Sequence, residues 1–286
     1  MIDGLWLVLR AAGLMLTLQA AGTVLFSAGF ARPLARAAPS LRRLGVRAGS
    51  GALAVLALQA LIEPIHLAGE WSGLADGTML RLFMDASTAR AFAVRTVGLA
   101  CLVLGVRGAS LRARLLALLG ALLAVSSFLL TGHTAVSPRR LLLAPLLFLH
   151  LSIVAFWFGS LWPLRQLTAL EARADAARVI AAFSAVAVWL VPVIALAGAA
   201  MAALLLPDGA ALRQPYGLLL LGKVALFALL MGLAALNRLR LTPALARSEA
   251  QAPARLRGSI ALEYALISAT FAVTAVMTGS FSPAPD

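Results

Sequence analysis

Three histidines, His66, His133 and His150, are the only imidazoles in a chain of 286 residues that is 62% apolar. A neutral imidazole is costly in hydrocarbon unless it has a partner, and metal ligation is one reason to keep it there. Four thioethers, Met79, Met84, Met201 and Met277, fall on the same side of the topology read below. Imidazole with thioether suits copper, thioether favouring Cu(I) and imidazole accepting Cu(II) as well. Calcium and magnesium need oxygen cages, for which a single Glu63 makes a poor start. One cysteine, Cys101, rules out an intramolecular disulfide. With no activated nucleophile and no paired acid and base, the chain is not expected to be an enzyme.

The elements that must position these groups are membrane helices. Mean hydropathy is +0.96 with 12% charged residues, against about a quarter in soluble domains. The expected fold is an all-α, polytopic membrane helical bundle forming one integral-membrane domain over residues 1–286. Eight transmembrane helices fit at about 6–30, 46–67, 92–106, 115–130, 141–164, 179–206, 216–239 and 260–281. The first is too long for the apolar region of a removable signal, has no basic residue before it and is followed by a basic loop, so it is expected to stay as helix one. The connections are too short for a soluble domain, and Gly45-x-x-x-Gly49 suits close helix packing.

A net charge of +13 would suggest nucleic acid in a soluble protein, yet all of the 24 basic residues except Lys223 are arginine and most sit in alternate loops. The bilayer accounts for them, and no nucleic-acid partner is expected. One set of loops holds Arg32, Arg36, Arg42, Arg43 and Arg47, then Arg107, Arg112 and Arg114, then Arg165, Arg173 and Arg178, then Arg238, Arg240, Arg247, Arg255 and Arg257. The other side holds Arg81, Arg90, Arg139, Arg140 and Arg213 with Asp3, Glu70, Asp76, Asp85, Asp208 and Asp286. Taking the first set as cytoplasmic puts both termini outside.

Topology then gives each unusual residue a depth. His66 ends span two, with Glu63 and Gln59 below it on one face by their spacing of three and four. Pro64 interrupts that stripe and predicts a kink or local opening beside His66. His133 follows Thr131-Gly132 at the outer surface, while His150 lies about 13 Å below the outer end of span five. Met79 and Met84 belong to an outer loop, where Asp76 or Thr78 caps a short helix. Leu80, Phe83 and Met84 would share its apolar face, and it would lie over the histidine mouth. Met201 and Met277 are near the outer ends of spans six and eight.

Plainer roles stand beside these. An interfacial histidine serves as a polar anchor, an intramembrane one as a contact between helices, and methionine as packing. Arg10, Arg95 and Glu263 are each expected to snorkel to the nearer interface. Lys223, about 11 Å inside span seven, needs a carboxylate, carbonyls or water. Glu63 is available to pair with Lys223 or Arg95, as a structural ion pair or a proton-coupling site.

Several pieces resemble the CopD, or copper resistance protein D, family of bacterial inner-membrane proteins. They are Gly132-His133-Thr134-Ala135, then His150 through Trp157 and Gly159, Pro215-Tyr216-Gly217, Gly222-Lys223, Asn237-Arg238, Glu263, and Ser282-Pro283-Ala284-Pro285. The resemblance implies copper handling, commonly uptake from periplasm to cytoplasm, with a periplasmic copper-binding partner of the CopC type. His133, His150, Lys223 and Glu263 match the family pattern by position.

The expected mechanism is capture by His66 and His133 with a nearby methionine, then transfer to His150. Passage further inward would use Met15, Met231 and Cys101, a sparse supply. Lateral delivery of copper to another membrane protein, without transport, fits the same residues. A haem or quinone electron-transfer protein is a further alternative, disfavoured because His133 and His150 differ in depth. A structural subunit whose histidines never meet metal is the remaining one.

Overall fold

The computed structural model describes residues 1–30, 38–170 and 173–283. Arg32 and Arg36 of the first basic loop, and Ala284, Pro285 and Asp286 at the C-terminal end, lie outside the described residues. The long helices are α1 (Ile2–Gly29), α2 (Ala38–Ala68), α4 (Ser87–Arg107), α5 (Leu111–Ser126), α7 (Arg140–Leu170), α8 (Arg173–Leu205), α9 (Pro215–Leu236) and α11 (Ala252–Ser280). Short helices α3 (Gly77–Asp85), α6 (His133–Val136) and α10 (Thr242–Ala246) sit in the connections, and no strand occurs among the described residues. Among the described residues, eight helical segments are long and apolar enough to cross a membrane.

Helix α1 is the axis of the bundle. It packs on α2, α4 and α5 on one side and on α7 and α11 on the other, and it is the most buried of the eight segments. Around it, α8 leans on α7, and α9 leans on α11. Lipid tails give helices no hydrophobic reason to associate, so close backbone approach must supply the attraction. Glycine permits it. A Cβ at Gly98 would stand 2.6 Å from the Ala124 nitrogen, and one at Gly120 would stand 2.4 Å from that of Leu102, locking α4 to α5. Gly22 on α1 meets Ala155 and Gly159 on α7 in the same way. Gly45 and Gly49 face Val106 and Val103 of α4, so that pair does mark a packing face.

The helices outrun the spans expected from hydropathy. Helix α2 starts at Ala38 rather than 46, α4 at Ser87 rather than 92, and α11 at Ala252 rather than 260. Arg42, Arg43, Arg47, Arg112, Arg114, Arg255 and Arg257 therefore lie on helices, not in loops. The backbone keeps its hydrogen bonds through the headgroup layer while the guanidinium stems carry their charge to water. Helix α2 also runs unbroken through Pro64 to Ala68, in place of the expected opening.

The capped short helix forms as expected: the Asp76 carboxylate accepts from the Thr78 amide at 2.7 Å, and α3 follows. Its docking differs. Phe83 alone of the predicted apolar face is buried, edge-on to Phe92 of α4 at 5.9 Å, whereas Leu80 and Met84 are exposed. Helix α3 packs on α2 and α4, and Met84 turns outward.

Candidate metal site

Helices α1 and α2 run antiparallel, and their ends meet in three polar rungs. Asp3 Oδ1 lies 3.0 Å from His66 Nδ1, Trp6 Nε1 donates to Glu63 Oε1 at 3.1 Å, and Gln59 Nε2 donates to the Leu9 carbonyl at 2.9 Å. Gln59, Glu63 and His66 do share one helix face, and that face is turned onto α1. The Trp6 indole stacks on the His66 ring with centroids 4.1 Å apart, and the Arg10 guanidinium lies 4.5 Å from the Trp6 centroid. Arg10 also donates to Thr278 Oγ1 at 3.3 Å, tying α11 into the cluster.

Two expectations for charged groups change here. Glu63 is buried, with Trp6 as its hydrogen-bond donor and Arg10 as its neighbouring cation, and it makes no ion pair with Lys223 or Arg95 among the described residues. Arg95 does not snorkel. It is 5% exposed, donates from Nε to Ser127 Oγ at 2.9 Å, and lies 3.9 Å from the Phe128 centroid. The turn ending α5 packs over it, and aromatic faces replace the missing carboxylate.

His133 begins α6, and Gly132 sets it there. Gly132 has φ 78° and ψ −175°, a backbone region open essentially only to glycine. The His133 ring stands edge-on to Tyr216 of α9, with centroids 5.7 Å apart. It hydrogen-bonds the backbone of Phe281, and its Nε2 is buried with no partner among the described residues. Burial pulls its pKa below the ordinary 6.5; the Phe281 bond opposes that shift and the nearby Arg10 charge adds to it. His66 stacks on Trp6 and His133 is within electrostatic range of Arg10, so both reach the same end of the bundle.

His150 stands apart from them, at the α7–α8 interface. Its Nδ1 lies 3.3 Å from the Ile194 carbonyl, and the absence of a side chain at Gly198 leaves room for the ring: a Cβ there would be 3.7 Å from its Cε1. Met201 is one turn from Gly198 on the same face of α8. Lys223 on α9 is within electrostatic range of His150.

A carboxylate or a carbonyl can only accept, so the nitrogens facing Asp3 and Ile194 carry the proton. In the neutral imidazoles of His66 and His150 the Nε2 lone pair is therefore the free one. That is the arrangement of metal-binding histidines, whose second nitrogen donates to a carboxylate or carbonyl.

Below these lies a third polar group. Trp157 Nε1 donates to Glu263 Oε2 at 3.4 Å, and Asn237 Nδ2 donates to Glu263 Oε1. Glu263 is 4% exposed, so it too fails to snorkel: α7 and the turn that follows α9 close over it and supply donors. Asn237 opens a π-helical turn, Asn237–Leu241, and its own Oδ1 has no partner among the described residues. Such turns are frequent at functional sites.

Among the described residues no three or more of His, Cys, Asp and Glu gather as a metal cage. Met277 is buried on α11 beside the Thr278 that meets Arg10, and Met79 is part-buried on α3. Cys101 belongs to α4, which packs on α1, α2 and α5, whereas Met231 belongs to α9, which packs on α11. Met15 is on α1, part-buried against the core. The inward donors are thus distributed over separate helices. Sequence reading gave no role to Asp3, Trp6, Trp157 or Asn237, since nothing in the linear order pairs them with His66 or Glu263. The one available signal was helical spacing: residues 3, 6 and 9 step along α1 as 66, 63 and 59 step along α2.

The fold and these polar stations define a multi-pass helical membrane protein. Residues 177–277 match the family model described as Copper resistance protein D, or CopD. The match takes in most of α8, all of α9 and α10 and most of α11, with Met201, Lys223, Asn237, Glu263 and Met277, and it supports the family resemblance. What the family implies is a membrane protein of copper resistance and homeostasis. His66, His133 and His150 lie outside the matched residues. No curated protein and no solved structure matches the chain.

Proposed function

We propose that the protein captures copper at the end of the bundle where His66 and His133 lie, passes it to His150, and imports it. The carrying observation is that Asp3 meets one nitrogen of His66 and the Ile194 carbonyl one nitrogen of His150, an arrangement that leaves the other nitrogen of each neutral ring for metal. His133 adds a buried Nε2 without a partner. With these ligands spread over depth, a copper ion would be held by few donors at each station, which suits transfer better than storage. Met277 and Met79 would assist at the mouth and Met201 beside His150, with Cu(I) favoured by the thioethers. Met84, exposed on α3, would meet copper first.

On this reading the membrane is the bacterial inner membrane. The arginine-rich face is cytoplasmic, both termini face the periplasm, and a copper-binding protein of the CopC type delivers the metal. Glu63, Arg95 and Lys223 support the path by fixing charge along it, and Cys101 and Met231 are the donors nearest the exit. The separation of those two favours a second reading, lateral delivery of copper to another membrane protein. Copper accumulation in vesicles, wild type against His150→Ala, tests the proposal. Import requires loss of accumulation in the variant with capture at the mouth retained. Equal accumulation overturns the role of His150, and capture by wild type without accumulation selects lateral delivery.

A further inference from the structure

The arginine-rich face is divided in its chemistry. Toward the C-terminal half, four guanidinium groups have protein partners. Arg178 bonds Asp175, Arg238 donates to the Ser184 carbonyl at 2.9 Å, Arg247 pairs with Glu249 at 2.9 Å, and Arg255 donates to Gln251 at 2.7 Å. Toward the N-terminal half, Arg42, Arg43 and Arg47 of α2 and Arg107 at the end of α4 line one open surface groove of about 360 Å³ together with Val46. All four are exposed, and none has a hydrogen bond or ion pair with another described residue.

The N-terminal half offers these arginines no carboxylate of its own. The sequence has no Asp or Glu between Asp3 and Glu63, nor between Asp85 and Glu171. Every acidic group carried by α1 to α5 and their connections therefore belongs to the opposite end of the bundle. Arg43 and Arg47 are four apart on one helix face, a spacing at which like charges destabilise. Retaining loop charge for topology requires arginines on this face but does not require them to converge on a groove. Convergent guanidinium forks with no partner among the described residues match the oxygens of a phosphate group.

The walls point to the source of that phosphate. Val46 forms the apolar part of the groove lining, and Leu104, one turn before Arg107 on α4, is 60% exposed. A free phosphate has no use for such a wall, whereas a phosphodiester attached to acyl chains does. We propose that Arg42, Arg43, Arg47 and Arg107 form a headgroup site for an anionic phospholipid, with its chains lying along α2 and α4. The site is independent of the copper path and stands whether or not that path transports.

The test uses the full-length protein in nanodiscs of phosphatidylcholine carrying a small fraction of phosphatidylglycerol or cardiolipin, with retained anionic lipid counted by native mass spectrometry. Arg43→Gln with Arg107→Gln is expected to lower apparent affinity roughly tenfold or more. Arg240→Gln with Arg257→Gln, an equal charge loss on the same face, is expected to leave it unchanged. Arg43→Lys with Arg107→Lys keeps the charge and guards against misfolding; it is expected to weaken binding partially, through loss of the planar fork. Equal retention by the two glutamine pairs would overturn the proposal. So would inorganic phosphate binding in pure phosphatidylcholine discs as tightly as the anionic lipid does.

Discussion

Replacing Gly22 with alanine probes the crossing that joins the two halves of the bundle. The new methyl would stand 1.7 Å from the Ala155 carbonyl oxygen, 2.5 Å from its carbon and 3.0 Å from the Gly159 Cα. All of these are main-chain atoms of α7, so no rotamer change relieves the clash. The helices would have to part by about 1.7 Å to restore contact near 3.4 Å. Overpacking costs about 1–3 kcal/mol, and a backbone-on-backbone clash belongs at the upper end. Alanine regains about 1 kcal/mol of helix propensity, so the net loss is about 2 kcal/mol. Gly232→Ala on α9 is the matched control, because nothing lies within 4 Å of its Cβ position, and it should gain up to about 1 kcal/mol. Equilibrium unfolding in mixed micelles, followed by tryptophan fluorescence, reads both. Stabilities of the two variants within about 0.5 kcal/mol of each other would refute the reasoning, since that is the scatter of substitutions with no structural consequence.

Three further outcomes are expected. Asp3→Ala leaves the imidazole of His66 without its carboxylate and should weaken copper binding at the mouth by about 10–100-fold in competition with a Cu(I) chelator; unchanged affinity would remove Asp3 from the site. His133 has a lowered pKa in the fold, so as pH falls below about 6.5 the unfolded chain takes up its proton first. Its stabilising contribution is complete above that value and declines as pH drops toward the folded pKa; His133→Gln should flatten the acid limb of an unfolding series, and an identical limb would contradict the shift. Trp157→Phe withdraws one of the donors to Glu263, and unfolding should register a loss of about 1–3 kcal/mol, against none if the bond is unimportant.

How the fold could be read follows from the solvent it uses. Hydrocarbon demands a continuous apolar run for each crossing, so all eight helices were visible in composition alone, and the charged stems at their ends hid only their length. The stripe of Gln59, Glu63 and His66 was equally legible, because spacing of three and four places residues on one face of any helix. That Asp3, Trp6 and Leu9 would be the surface opposite it was not, since the match depends on the register of an antiparallel pair.

The sequence by itself determined how far along the membrane axis each polar residue sits: His66 and His133 at one end, His150 below them, Lys223 within its span. Only the tertiary structure decided which way each one turns. Arg95 and Glu263 are close enough to an interface to snorkel, yet both are buried, because the turn ending α5 covers the first while α7 and the turn after α9 cover the second. Depth is a property of one chain segment in lipid, whereas rotation about a helix axis is set by its neighbours. Here those neighbours are positioned by close glycine contacts whose partners lie far apart in the chain.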